Sequence, residues 1–301
     1  MSDAKRSRAV PVTRRDAVRT MGMLAGGAAM TAPLQTHAAS APQMPLPTVA
    51  SGRLRQSASR WCYDRIPLDA LCEAAKGMGL AGIDLLDEAD WKTPARHGLV
   101  CSLANGFGTI PKGFNRPDLH DQLVAAGSAM IPKAAAAGVE RIVCFSGNRA
   151  GLSDGDGIQH CITGLKRLAP LAEQHEVTLC LELLNSKVDH KDYQADHTAW
   201  GVEVIKGVNS PRVRLLYDIY HMQIMEGDVV ATIKQYAPFI AHYHTGGVPG
   251  RHEIDDTQEL NYRRVAQVIA DTGFTGFLAH EFVPVRDPLT SLREAAERCT
   301  V

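Results

Sequence analysis

Four ionisable side chains interrupt apolar runs in the C-terminal half of the chain. Glu182 sits within Leu181-Glu182-Leu183-Leu184, and Asp218 closes Leu215-Leu216-Tyr217-Asp218. His244 follows His242-Tyr243, and Glu281 lies between His280 and Phe282. A charge placed in an apolar run is costly unless it is paired, hydrogen-bonded or bound to a metal. Any one of these residues alone reads as a satisfied structural group, and Asp218 alone reads as the cap of a following helix. Together they stand at the ends of successive strand-like runs, which makes them one set. Three carboxylates and an imidazole are a hard, oxygen-rich donor set that suits Mg²⁺ or Mn²⁺, with Zn²⁺ or Co²⁺ as alternatives. Glu182, Asp218, His244 and Glu281 are therefore the candidate metal ligands. His242, on the same strand as His244, is assigned to packing or to support of a ligand.

Such a set requires strands whose ends converge. Short apolar, strand-like runs occur at 57–63, 82–87, 99–105, 141–146, 177–184, 213–218, 240–245 and 276–282. Helical patterns fall between many of them, at 67–78, 119–137, 158–176, 229–236 and 262–272, with a last one at 291–297. Alternation of this kind over roughly 250 residues predicts an α/β fold, a single-domain (β/α)₈ TIM barrel spanning 56–301. No glycine-rich dinucleotide fingerprint follows an early strand, which makes a doubly wound nucleotide fold the weaker alternative. Barrel enzymes work at the C-terminal ends of their strands, where the four candidate ligands lie.

The loop after the seventh run, Thr245-Gly246-Gly247-Val248-Pro249-Gly250-Arg251, allows close approach of backbone to a small ligand. Arg251 offers a fork that holds a carboxylate or hydroxyls in two bonds. Lys187 reads as a solvated lysine. Trp61 reads equally as a cavity wall or as core.

The chain is 45% hydrophobic and 22% charged, as expected of a soluble globular protein with a substantial core. Its N-terminus differs from the rest. Lys5, Arg6, Arg8, Arg14, Arg15 and Arg19 precede an Ala/Gly/Met-rich apolar run and small residues near 36–38. This is the pattern of a secretory signal, and Thr13-Arg14-Arg15 gives it the twin-arginine form, with Ala17 where a large apolar residue is usual. The expected organisation is a signal at 1–38, a Pro/Ser/Ala-rich linker at 39–55 and the barrel at 56–301. Export to the periplasm follows, or cytoplasmic residence if the signal is not used. Residues 1–38 carry six positive and two negative charges, so the formal net charge falls from −1 to −5 without them. That excess of acid, with no extended basic face, argues against nucleic acid as a partner. The expected partner is a small-molecule substrate, with no membrane insertion of the mature form; a homo-oligomer is compatible with the sequence. The seven cysteines are odd in number and contain no CxxC pair, so they read as buried thiols.

The runs LELLNSK (181–187), LLYDIYHMQ (215–223), GGVPGRHEID (246–255), ELNY (259–262) and LAHEF (278–282) resemble the hydroxypyruvate isomerases of the xylose isomerase-like barrel superfamily, whose relatives include ketose 3-epimerases. The resemblance covers roughly 55–300. It implies that Glu182 and Glu281 are paired acid–base residues as well as metal ligands, and that Asp218 and His244 complete the metal shell. It implies that His221 and Arg251 bind substrate oxygens. The reaction it implies passes through an enediolate, with hydroxypyruvate converted to tartronate semialdehyde. At 244 hydroxypyruvate isomerases typically carry an amide, whereas this chain carries His as the ketose epimerases do. Isomerisation or epimerisation of a sugar or sugar acid therefore stays open, as does an exported, non-catalytic sugar-binding protein.

Overall fold

The computed structural model describes residues 52–301. The signal read at 1–38 and most of the linker lie outside the described residues. Eight strands pair in chain order and close on themselves. They are β1 (Arg55–Ser59), β2 (Gly82–Leu86), β3 (Val100–Ala104), β4 (Arg141–Cys144), β5 (Thr178–Glu182), β6 (Val213–Asp218), β7 (Ile240–Thr245) and β8 (Phe277–His280). Every pairing is parallel, including that of β8 with β1. Parallel strands need long crossovers, and helices supply most of them. These are α1 (Leu68–Gly77), α2 (His120–Ala136), α3 (Asp154–Gln174), α4 (Thr198–Val208), α5 (Ile219–Met225), α6 (Val229–Tyr236), α7 (Tyr262–Asp271) and α8 (Pro288–Cys299). The connection from β2 to β3 uses only short 3₁₀ turns, Glu88–Asp90 and Pro94–His97.

The strands read as nearly continuous apolar runs because both faces are buried. Every residue of β5 is buried, so its apolar run carries no alternation to extend. The helices bury one stripe each: α7 turns Val265, Ala266, Val268 and Ile269 inward. No helix among the described residues is long and apolar enough to cross a membrane. All seven cysteines are free thiols, and all but Cys62 are buried.

Three local expectations need correction. The first strand ends at Ser59 and is followed by a 3₁₀ turn, Arg60–Tyr63, so Trp61 stands beyond the strand end. Strand β8 ends at His280, and Glu281 is the first residue past it, its N–H donating to the Thr245 carbonyl at 3.1 Å. Helices α4 and α5 occupy segments where no separate helix is predicted. Two glycines and several valines give α4 a poor intrinsic helical tendency. Tertiary contacts override it: a Cβ at Gly201 would meet Leu183 and Leu215 at 2.8 Å, so the helix lies close against β5 and β6 because that residue is glycine. Glu226, at the end of α5, accepts from the Thr198 N–H at 2.7 Å and fixes the start of α4.

Candidate active site

Closure of the barrel brings the ends of β5, β6, β7 and β8 around one point. Glu182, Asp218, His244 and Glu281 each offer a donor atom there, all within 4.8 Å of one another, and all four residues are buried. His244 Nδ1 lies 2.8 Å from Glu281 Oε2, 3.6 Å from Glu182 Oε1 and 3.9 Å from Asp218 Oδ2.

The far side of the same ring is held by Asp84. Its Oδ2 lies 2.8 Å from His244 Nε2, and its Oδ1 lies 3.1 Å from His242 Nε2. Ser102 Oγ donates to Asp84 Oδ1 at 2.7 Å. Burial works against the Asp84 charge, but His242 and His244 outweigh it and hold the carboxyl below its usual range. An ionised Asp84 accepts a hydrogen bond from the Nε2–H of His244, which turns Nδ1 toward three carboxylates. Glu281 Oε2, 2.8 Å away, is the nearest acceptor to that buried nitrogen. Burial lowers His244, while Glu281 and the other carboxylates raise it well above the ordinary imidazole value. An oxygen-rich set with one imidazole whose other nitrogen is tied to a carboxylate fits a divalent metal.

Strand β2 is irregular where Asp84 sits. Its register against β3 shifts on both sides of that residue, and Leu85 adopts a left-handed φ of 54°. Such a bulge re-aims a side chain. Asp84 is not among the predicted site residues, although it interrupts GIDLL just as Glu182 interrupts its own run.

Asp218 also caps α5, its Oδ1 accepting the His221 N–H at 3.1 Å. Helix cap and candidate ligand are therefore the same residue, through different oxygens. Burial pushes the Asp218 carboxyl up to about 7, Arg251 pulling it down and Glu281 adding to the rise.

His221 comes closer to the cluster than its sequence distance suggests, with Nε2 3.6 Å from Asp218 Oδ2. The Asn185 amide sets its tautomer. Asn185 Oδ1 accepts from the N–H groups of Val188 and Asp189 at 3.0 and 2.9 Å, so Nδ2 must be the donor. Nδ2 reaches His221 Nδ1 at 2.7 Å and Asp189 Oδ2 at 2.7 Å. Burial, reinforced by Arg251, keeps His221 well below its usual value, so the ring is neutral. A neutral ring that accepts at Nδ1 carries its proton on Nε2. That N–H is buried beside Asp218 and has no protein partner. Asn185 is a second residue the sequence reading missed; nothing local distinguishes it from a turn asparagine.

Arg251 arrives from the loop after β7. Its Nη2 lies 2.6 Å from Glu281 Oε2 and 3.3 Å from Asp218 Oδ2. The guanidinium lies over the rings of Trp61 and Tyr220, at 5.3 and 5.2 Å. Trp61 Nε1 donates to Glu281 Oε1 at 2.5 Å, so Trp61 walls the site. The loop is built to place this arginine. A Cβ at Gly247 would sit 2.3 Å from the Glu253 carbonyl, so glycine is required there. Arg251 N donates to the Gly247 carbonyl at 2.8 Å, and Arg251 itself adopts a left-handed φ of 58°. Burial opposes the charge of Arg251, but Glu281 and Asp218 raise its pKa further. Lys187 stays outside, its Nζ donating to the carbonyls of Ile224 and Met225. All six predicted site residues thus meet at one end of the barrel.

The 2-oxo-tetronate isomerase of Cupriavidus necator is 34% identical over 135 residues, 44% of this chain and 51% of that protein. The hydroxypyruvate isomerase of Escherichia coli is 29% identical over 167 residues, 55% of this chain and 64% of that protein. The matches thus span between about half and just under two thirds of these relatives. The crystal structure of an AP endonuclease, family 2, from Brucella melitensis superposes with a TM-score of 0.71 at 23% identity, covering 79% of this chain and 97% of that one. At that identity the likeness is one of fold. A family model described as xylose isomerase-like TIM barrel matches residues 72–300, most of the barrel from α1 to the end of α8. The chain belongs to the xylose isomerase-like TIM barrel family.

Proposed function

We propose that this protein is a divalent-metal-dependent isomerase of a small α-hydroxycarbonyl acid, with hydroxypyruvate as the leading substrate and tartronate semialdehyde as its product. The carrying observation is the buried convergence of Glu182, Asp218, His244 and Glu281 on one point. These four side chains would hold the cation, Mg²⁺ or Mn²⁺ first and Co²⁺ or Zn²⁺ as alternatives. When bound, the cation supplies Lewis-acid stabilisation of negative charge on substrate oxygens.

The protein's own groups do the rest. One of Glu182 and Glu281 removes the proton from the carbon bearing the hydroxyl, giving an enediolate. The other returns a proton to the neighbouring carbon, while the hydroxyl proton passes from its own oxygen to that of the former carbonyl. General acid–base steps of this kind contribute about 10²–10⁴-fold each. His221 donates its Nε2 proton in a hydrogen bond to a substrate oxygen, for which its neutral state suits it. Arg251 holds the substrate carboxylate or a hydroxyl from between Trp61 and Tyr220. Two relatives named for 2-oxo acids support an acid as substrate.

The test is a panel of hydroxypyruvate, 2-oxo-tetronate and ketoses in D₂O with Mg²⁺ or Mn²⁺, scored for deuterium uptake and product. Uptake with hydroxypyruvate and tartronate semialdehyde formation is expected, abolished in Glu182→Gln and Glu281→Gln. Uptake with a ketose alone makes the protein an epimerase or sugar isomerase. Binding of a sugar with no exchange in any case makes it a binding protein. We also propose export through the twin-arginine signal, for which Arg14→Lys with Arg15→Lys should leave the protein in the cytoplasm.

A further inference from the structure

A cavity of about 350 Å³ opens at the other end of the barrel. It is formed where β4, β5 and β7 begin and by the connections that lead into β6, β7 and β8. Arg141 and Arg214 line it together with Thr178, Phe274, Thr275 and Gly276, and no acidic side chain lines it. Its volume falls in the range of small-metabolite sites.

The two guanidiniums are fixed but not spent. Arg141, its side chain 13% exposed, uses Nε on the Ala241 carbonyl at 3.3 Å and Nη1 on Glu140 at 3.0 Å. Arg214 uses Nη1 on the carbonyls of Ser210 and Val213, at 2.6 and 2.8 Å. Among the described residues neither Nη2 has a hydrogen-bond acceptor. A third arginine reinforces the field: Arg55 packs 4.3 Å over the Phe277 ring, against which Arg141 also lies, at 5.7 Å. Burial and the Arg141 charge lower the pKa of Arg55, and burial and Arg212 lower that of Arg214.

We propose that this basal cavity binds a small organic oxyanion, a phosphate monoester or a polycarboxylate, through Arg141 and Arg214. The oxyanion takes the unused guanidinium N–H groups, and its body rests on Phe274 and the apolar wall. The site is independent of the reaction proposed above and lies outside the carboxylate cluster.

Inorganic phosphate and, separately, citrate would be titrated calorimetrically into the full-length protein at constant ionic strength set with chloride. Saturable one-site binding of at least one probe is expected, and which probe binds identifies the oxyanion. Arg141→Ala and Arg214→Gln should each weaken it about tenfold or more, the loss expected for hydrogen bonds to charged groups. Arg214→Lys, which keeps the charge without the fork, gives a milder variant to read if either of these fails to fold by circular dichroism, and it too should weaken binding. Arg251→Ala should leave the binding unchanged. No saturable binding to the wild type, equal affinity in the Arg141 and Arg214 variants, or loss in Arg251→Ala would overturn the proposal.

Discussion

His244 shows how a single side chain depends on its neighbours. Its Nε2–H donates to Asp84, which turns Nδ1 toward the carboxylates. Asp84→Asn weakens this acceptor and lets the imidazole turn. Metal affinity, measured by Mn²⁺ titration, is expected to fall about 10–100-fold with little change in fold; unaltered affinity would remove Asp84 from that role. Asp218 adds a pH dependence. Its pKa stands at about 7 in the folded protein against 3.8 for an ordinary Asp. A ligand carboxylate must be ionised, so metal affinity should fall by up to about tenfold per pH unit below about 7. For stability without metal the sign is opposite. Between those two pKa values the folded state holds a proton that the unfolded state has lost. The stabilisation is complete below 3.8 and is lost as pH rises through about 7. Urea unfolding of chelator-treated protein across pH 5–8 should show that fall, and Asp218→Asn should flatten it.

The elements matter here for where they end. Strands β5 to β8 each deliver one candidate ligand at or just past the C-terminal end, and the loop after β7 delivers Arg251. That loop works through its backbone: Gly247 packs against the Glu253 carbonyl, and Glu253 in turn accepts from the N–H groups of Val285 and Arg286, both at 3.0 Å. The loops after β7 and β8 are thereby pinned together. Gly247→Ala forces them apart and displaces Arg251. A loss of about 10² in kcat/KM is expected, as for a misplacement of roughly an ångström, with the melting temperature falling only a few degrees. A variant with normal kcat/KM would show that the loop tolerates the shift and that Arg251 is not positioned by it.

At the scale of the whole molecule, three buried carboxylates gathered around one imidazole are costly to fold, and Arg251 reaches only Asp218 and Glu281. A metal that binds only the folded state stabilises it by about 2.7 kcal/mol at a hundred times its dissociation constant. For a domain of this size that corresponds to roughly 5–10 °C in melting temperature. Adding Mn²⁺ or Mg²⁺ after chelation should produce such a rise in the wild type and little in Glu182→Gln. Equal rises in both would place the metal elsewhere.

The sequence by itself determined the barrel, the strand runs and the four ionisable interruptions, because hydrophobic periodicity and a charge in an apolar run are local properties. It carried Asp84 in the same way, as an acid within GIDLL, but nothing local linked that residue to a histidine 160 positions away. Only closure of β8 onto β1 brings β2 within reach of β7, so the Asp84–His244 pair belongs to the tertiary structure. The same holds for Asn185, whose amide orientation is set by two backbone N–H groups and whose effect falls on His221. Helix α4 was illegible because its stability comes from packing against β5 and β6 and not from its own residues. The opening stretch of α5 joins the two levels: Asp218 looked like a helix cap and is one, yet its second oxygen faces His244 because the barrel places the end of β6 beside β7.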